Sequence, residues 1–532
     1  MHRCLKIAEI VHNVVNNISP YMNQDCDAIV DLASVANFAL TCRAFTEPAL
    51  DRLWYELPSL RPLLQLLPED SWELIRVKPL SEDTGSDSDS DDGWVGPTYL
   101  FRFTRTLQPN DWMHFSAYAR RVRSFMHVQE SVTEISVAVS VLRDLSLHKP
   151  FTRLLPRLRE LVWMDDREDA LPYIHLFLSP DITRLQVGYP EDPQDVDGQT
   201  ARQLSTLSAS CPSIKSLDSL QIPLPLLSRI LTSGSPGFSK LESLVVLGSL
   251  PEDALSYLAK LSSLKCFKYS PIDDQFPEFH DVHAFASLCD FEITLWSDSD
   301  AAQIFLERTR LPNLTKLSIV IHATLSLDQF RRLYNTISKF ASLRELMIKT
   351  FASEDPPPVT TSMSINVNDT AIIAPLLALR RLHTLHLEND DIRLDDDAVS
   401  RLAQSLPDLR VFRIIPLNAY FRVCPIQIGL TALHKLAELC PNIEAFAAGI
   451  DFESISSISS CFPPTGSHLR QLGVGQSLLQ SHDAERAAAV LCAWFPRLRI
   501  VSFWEGPEGL ENDQQAKWEA VEGFIAKALA RT

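Results

Sequence analysis

The sequence predicts an α/β chain, a small helical domain followed by a long curved array of parallel strands alternating with helices. Two observations predict the array. A phrase of the form Leu-x-x-Leu-x-Leu recurs along most of the 532 residues. The segments between its copies carry the 3.6-residue periodicity of amphipathic helices. A third observation sets the N-terminus apart: residues 4–57 hold helical stripes and no such phrase.

The N-terminal segment comes first. In "LKIAEIVHNVVNNI" and the residue positions around it, Ile7, Ile10, Val11, Val14 and Ile18 fall on one helical stripe. In "DAIVDLASVANFALTCRAF", Ile29, Leu32, Ala36 and Ala39 form a second. In "TEPALDRLWYEL", Leu50, Leu53, Trp54 and Leu57 form a third, with Thr46 placed as its N-cap and Pro48 in its first turn. So short a chain makes a marginal core, which favours a neighbouring domain or a partner. The expected domain is 1–57.

Residues 58–119 read as a linker. Its stretch "SEDTGSDSDSDDG" (Ser81–Gly93) has no apolar residue and is expected to be disordered. Ser86 and Ser88 each have an acid three positions on, a pattern suited to acid-directed kinases; a solvated spacer is the plainer reading. The aromatic pieces "WVGPTYLFRF" and "DWMHFSAYARRV" are expected to fold back onto the first repeats.

The array, 120–532, carries the phrase fourteen times, with anchors at Val122, Leu158, Ile182, Ile214, Leu241, Leu264, Leu288, Leu314, Leu343, Leu382, Leu409, Ile443, Leu469 and Leu498. The mean spacing is about 29 residues, with single steps from 23 to 39. A second phrase precedes many of the strands, as in "LPNL", "LPDL", "CPNI" and "FPRL". Proline there ends the preceding helix, because it has no N–H to continue the ladder. Within a strand the anchors point inward and their neighbours outward. A stack of such units buries a continuous core and presents a concave strand surface. On that surface Lys316, Glu345, Lys349, His386, Glu388, Arg413 and Trp504 are the candidate target-binding residues, Arg413 and Trp504 foremost because Arg and aromatic side chains dominate interface energetics.

Several function classes are disfavoured. A net charge of −18 opposes general binding to nucleic acid or to anionic membranes. The apolar run Ala371–Leu379 is too short to span a bilayer, and the N-terminus lacks a signal peptide's apolar region. Ten cysteines occur without a C-x-x-C pair, so neither a zinc site nor a disulfide framework is expected, and the chain reads as reduced and intracellular, in cytoplasm or nucleus. No H-E-x-x-H, G-x-S-x-G, P-loop or dinucleotide fingerprint is present, so no enzyme activity, cofactor or metal is expected. His280, Asp281 and His283, and His383 and His386, read as surface or loop residues, and Asp165-Asp166 and Asp390-Asp391 as solvated strand ends.

The repeated phrase with a helix in each unit resembles the leucine-rich repeat family, although the family's Asn after the strand is mostly missing. The N-terminal segment resembles the F-box: "ALTCRAFTEPALDRLW" matches the second half of that motif, while Ala8 replaces the usual proline of its opening and "SPYMNQDCD" lengthens its first loop. F-box proteins dock a Skp-type adaptor and so join a cullin–RING ubiquitin ligase. The resemblance implies adaptor contacts at Leu5, Ile7, Ala8, Glu9 and Ile10, with Val14, Leu40 and Trp54 packing behind or extending the strip. It implies a non-catalytic substrate receptor, with the protein target held on the repeats. The alternative is an interaction scaffold with a plain helical cap and no ligase link.

Overall fold

The computed structural model describes residues 8–17, 20–22, 28–30, 32–77, 99–128, 135–165, 167, 169–188, 207–219, 224–232, 238–271, 283–296, 300–323, 325–350, 370–388, 394–415, 428–452, 455, 464–475, 477–480, 483–503 and 511–530. The chain divides into two compact units, Met1–Leu247 and Gly248–Thr532.

The first unit opens with α1 (Ala8–Asn16), α2 (Leu32–Thr41) and α3 (Arg43–Leu53). Val11, Val15, Val35, Phe45 and Ala49 form their core, with Phe38 stacked on Phe45 at 4.3 Å between ring centroids. Two of the expected stripes are shifted. Ile29 lies in a short strand, Ala28–Val30, paired antiparallel with Pro20–Met22, and Leu32 is exposed while Val35 turns inward. The third helix starts earlier than expected. Cys42 is its N-cap, in extended conformation, with Sγ accepting from the Ala44 N–H at 3.4 Å. Thr46 lies inside the helix, where its hydroxyl donates to the Ala39 carbonyl at 3.0 Å. Pro48 stands beyond the first turn and leaves one ladder bond unmade, but its ring is buried in the core.

The helix stops at Leu53, and Leu57 belongs to a strand instead, β1 (Glu56–Leu57). A hairpin follows, β2 (Trp72–Arg76) antiparallel to β3 (Tyr99–Phe103). Then α4 (Trp112–Ala119) sets Trp112 and Phe115 against Phe151, at 5.2 and 6.2 Å between ring centroids. The acidic tract Ser81–Gly93 lies outside the described residues. After β4 (Ser124–Val128), β5 (Ile135–Val137) pairs with β3. With α5 (Val139–His148) and α6 (Leu224–Thr232) between them come β6 (Glu160–Met164), β7 (Arg184–Val187), β8 (Ser216–Ser219) and β9 (Ser243–Leu247). The order β1-β4-β6-β7-β8-β9 is parallel throughout. The two-residue β1, unmarked by the repeat phrase, thus heads the sheet.

The second unit repeats one plan. Its strands are β10 (Cys266–Ser270), β11 (Asp290–Leu295), β12 (Lys316–Ile321), β13 (Glu345–Thr350), β14 (Thr384–Glu388), β15 (Val411–Ile415), β16 (Ala445–Ala447), β17 (Gln471–Gly473) and β18 (Ile500–Ser502), hydrogen-bonded in that order. All neighbours are parallel and in register. Between strands lie α7 (Glu252–Lys260), α8 (Ala301–Arg308), α9 (Leu327–Ile337), α10 (Asp396–Ser405), α11 (Leu430–Leu439) and α12 (Ala484–Trp494). Each of the fourteen expected phrases is a strand.

Register aligns the inward side chains. Phe267, Phe291, Leu317, Leu346, Leu385, Phe412, Phe446, Leu472 and Val501 form one buried row. The proline phrase makes a tight turn before the strand. The N–H of Leu409, Ile443 and Leu498 bonds to the carbonyl three residues back, of Leu406, Cys440 and Phe495, at 3.0–3.2 Å. Pro407, Pro441 and Pro496 occupy the position after that acceptor, where a fixed φ suits the turn. Helix starts are capped: Ser326 and Gln329 form a capping box on α9, and Asp395 accepts from the Ala398 N–H at 2.8 Å on α10. The last helix, α13 (Glu511–Leu529), carries no repeat phrase; it buries Trp518, Val521 and Ile525, and Trp518 donates its ring N–H to the Ser477 carbonyl at 2.9 Å.

Leu346 is fully buried between Leu317 and Leu385 of the flanking strands. Leu346→Ala should therefore lower stability by about 2–5 kcal/mol, read from urea unfolding of the whole chain. A change below about 0.5 kcal/mol would mean that the row does not support the sheet.

Candidate functional site

Two surfaces carry the residues expected to contact partners: the N-terminal helices and the strand face of the second unit. On the helices, Leu5 and Ile7 lie outside the described residues, and Ala8 opens α1. Glu9 is exposed and Ile10 half-buried on α1. Val14 is 39% exposed and Leu40, on α2, 86% exposed. Val11, expected on the apolar stripe, takes the core side of α1 together with Val15, while Val14 of the same stripe faces outward. Trp54 is half-buried and packs at a tilt of 44° against Tyr118 of the same chain, at 4.7 Å between ring centroids. Arg121 pins this contact, pairing with Glu47 at 2.6 Å and with Asp51. The side chain with the largest apolar area in the expected strip is therefore already engaged.

On the strand face, the outward positions line up in rows across β10–β15. The first row reads Cys266, Asp290, Lys316, Glu345, Thr384, Val411. The second reads Lys268, Glu292, Ser318, Met347, His386, Arg413. The third, from β11 onward, reads Thr294, Val320, Lys349, Glu388, Ile415. The structure thus brings Lys316, Glu345, Lys349, His386, Glu388 and Arg413 onto one face. Trp504 lies outside the described residues.

Charges on this face pair across strands. Lys268 meets Glu292 at 3.2 Å, Lys316 meets Asp290 at 3.3 Å and Lys349 meets Glu388 at 3.1 Å. His386 Nε2 also lies 2.9 Å from Glu388, in a geometry too bent for a full hydrogen bond. Burial pushes the Glu388 carboxyl up, but the His386 ring and the Lys349 ammonium outweigh it and hold it below the usual glutamate value. His386 departs from the expected alternation: it is 8% exposed, because register sets it between Met347 and Arg413 with Glu388 two positions on. It is a support for Glu388 more than a free contact. Arg413 is half-buried, and no described carboxylate pairs with it. Beyond it the row continues through Ala447 and Gly473, so the face drops to a low floor. A Cβ on Gly473 would come within 2.7 Å of the Ala447 Cβ, a close approach that only glycine permits.

One exposed aromatic was missed. Trp296 is 55% exposed and lies flat on His322 at 4.4 Å, with its ring N–H donated to Ser270 at 2.9 Å. The signal was present, since in "DFEITLW" the inward residues are Phe291, Ile293 and Leu295, and Trp296 continues the outward alternation.

The strongest titratable cluster lies in the first unit. Asp165 is 1% exposed, not the solvated strand end expected. It accepts from the Arg167 guanidinium at 2.7 and 2.9 Å and meets His127 Nε2 at 2.7 Å. Burial pushes its carboxyl up, but Arg167 and His127 outweigh that and hold it well below the usual carboxylate range. The reason for the burial is local: β4 and β6 place His127 beside Trp163, and Arg167 folds back two residues on to complete the charge. Among the described residues, no hydroxyl or thiol reaches the His127 ring, so no nucleophile completes a catalytic arrangement. Burial pushes the Cys211 and Cys440 thiols up to about 11. No group of three His, Cys, Asp or Glu among the described residues could hold a metal ion, and none of their helices is long and apolar enough to cross a membrane. His280, Asp281, Asp166, Asp390 and Asp391 lie outside them.

No family model matches the chain, and no curated protein does. Solved structures do. The leucine-rich repeat-containing protein LegL7 from Legionella pneumophila is 11% identical over 74% of this chain and 94% of its own, with a TM-score of 0.29. The LRR protein LIC12759 from Leptospira interrogans is 12% identical over 74% of this chain and 81% of its own, with a TM-score of 0.29. The mouse RP105/MD-1 complex matches at 13% identity over 73% of this chain and 67% of its own, with a TM-score of 0.34. The superpositions are loose, so the assignment rests on this chain's own register, repeat phrase and intervening helices. The fold is of the leucine-rich-repeat type.

Asp165→Asn should destabilise the chain by about 2–4 kcal/mol at pH 7, because it removes the buried carboxylate that Arg167 and His127 share. The folded carboxyl is depressed, so its stabilisation is present above about pH 4 and fades as pH falls toward the depressed value. Urea midpoints at pH 7 and pH 3 should therefore lie closer together in the variant than in the wild type. Equal spacing in the two proteins would show that the cluster contributes no acid sensitivity.

Proposed function

We propose that the chain is a non-catalytic substrate receptor of a cullin–RING ubiquitin ligase, with the N-terminal helices docking a Skp-type adaptor and the strand face of the repeats holding a protein target. The observation that carries this reading is the exposure of Leu40 and Val14 on a helical core that already closes without them. Apolar side chains left outside a small core favour a partner that removes them from water. The resemblance of "ALTCRAFTEPALDRLW" to the F-box names the partner class. The receptor would do no chemistry; it would raise the concentration of the target beside the ligase. Arg413, half-buried and without a described counter-ion above the low floor of Ala447 and Gly473, is the favoured target anchor.

A second reading has its own support. The packing of Trp54 against Tyr118, with Arg121 tied to Glu47 and Asp51, is what a helical cap for the repeats would use. In that case the chain is an interaction scaffold with no ligase link.

The two readings part at Leu40 and Ile10. Leu40→Asp costs a cap little, since that side chain is already in water. For a receptor it puts an unpaired carboxylate into a dry contact, a loss of several kcal/mol. Co-purification of the adaptor with wild type but not with Leu40→Asp or Ile10→Asp, at unchanged melting temperature for Leu40→Asp, is the expected result. Equal recovery with all three would remove the receptor reading and leave the scaffold.

A further inference from the structure

Below the strand face runs a border that the receptor reading does not use, the feet of the second unit's strands. The residue after each buried anchor donates its backbone N–H to the carbonyl of the equivalent residue one strand earlier. His383 gives to Arg344, Arg410 to His383, Glu444 to Arg410, Arg470 to Glu444 and Arg499 to Arg470, at 2.7–2.9 Å. These bonds fix the residues as a rank, one strand spacing of about 4.8 Å apart. Arg344, Arg410, Arg470 and Arg499 are all exposed. None of them pairs with a described carboxylate. Arg381 and Arg497, in the turns just before their strands, are exposed as well. The acids on this border are Glu345, Asp408 and Glu444, all exposed and none of them in an ion pair with a described residue.

This arrangement runs against the composition. The chain carries a net charge of −18, and the lysines on the strand face above are matched to acids across the strands, as Lys316 is to Asp290 and Lys349 to Glu388. At the feet the guanidinium groups have no carboxylate partner among the described residues. Nothing in the repeat's packing asks for arginine there, because the inward anchor beside it supplies the burial.

We propose that this rank of arginines is a docking edge for an Asp/Glu-rich segment of a partner protein, laid across the strand feet from Arg344 to Arg499. The planar fork of Arg takes a carboxylate by two parallel hydrogen bonds. Five strand spacings make about 24 Å, which about seven residues of extended peptide cover. A peptide can place its acids against the arginines and neutral residues against Glu345, Asp408 and Glu444. A nucleic acid cannot, since its phosphates come at a fixed short spacing and would meet those acids and the negative net charge of the chain. The inference goes beyond the receptor reading and holds equally for a scaffold.

The test uses the full chain and a fluorescent peptide of about ten residues in which Asp alternates with Ser. Binding followed by anisotropy should weaken as salt rises, because exposed charges are screened. Arg410→Glu, Arg470→Glu and Arg499→Glu together should weaken it about tenfold or more, while adaptor co-purification stays as in wild type. The matching Arg→Lys triple should fall between, keeping charge but losing the fork. Should the Glu triple lower the melting temperature, the Arg→Gln triple is read in its place, with the same loss expected. Failure of the wild type to bind the peptide, equal binding by the triple variant, or equal binding of a peptide with Lys in place of Asp would each overturn the proposal. So would a single-stranded oligonucleotide that binds more tightly than the peptide and is lost in the same variant.

Discussion

Everything in the second unit depends on the register of its parallel strands. A strand of five or six residues with one apolar face cannot bury that face alone. Hydrogen-bonding to its neighbours stacks Leu317 on Leu346 on Leu385, and so on along the row, until each is dry. A slip of one residue would turn the row to solvent and bring Lys316, Glu345 and Thr384 inward, so no intermediate register is tolerated. The intervening segments can then vary in length and content, provided that each returns the chain to the next foot. Anchor spacings from 23 to 39 residues are the consequence.

The same constraint sets what the outward face can offer. Outward side chains of equivalent strands stand side by side at strand spacing, so a charge on one strand meets its counter-charge on the next. Lys268 with Glu292, Lys316 with Asp290 and Lys349 with Glu388 are all of this kind. The first two pairs are open to water and contribute little stability, typically below about 1 kcal/mol each, while Lys349 and Glu388 are more enclosed. These pairs leave few charges on the face without a described partner, Arg413 among them, and the arginines at the strand feet likewise pair with no described carboxylate.

Period and punctuation made the array readable in the sequence. The fourteen phrases are all strands because inward and outward positions alternate with a period of two, and a proline turn marks where six of them begin. What the sequence hid were features fixed by contacts distant along the chain. Asp165 looks like a loop acid until His127, thirty-eight residues earlier, is set beside it in the next strand. His386 has outward parity yet is closed in by its neighbours' side chains. The strand Glu56–Leu57 is too short to show a pattern and exists because β4 offers it a partner. The N-terminal helices were the least legible part. Their stripes were partly displaced because a core of five buried side chains admits several helical phases, and Cys42 rather than Thr46 decides where the third helix starts.

The two candidate surfaces differ in what a partner must overcome. At the N-terminal helices, Leu40 stands almost wholly in water, and a partner that covers it gains by removing apolar area with no competing contact to break. At Trp54 the opposite holds: a partner must displace Tyr118 or accommodate it, and the Arg121 pairs to Glu47 and Asp51 resist that movement. Any docking partner is therefore drawn toward α1 and α2 and away from the end of α3. That direction follows from a single feature of the first unit. Because the chain turns straight from α3 into β1, the end of the helix is held against the sheet, and its aromatic side chain is committed to the contact with α4 before any partner arrives.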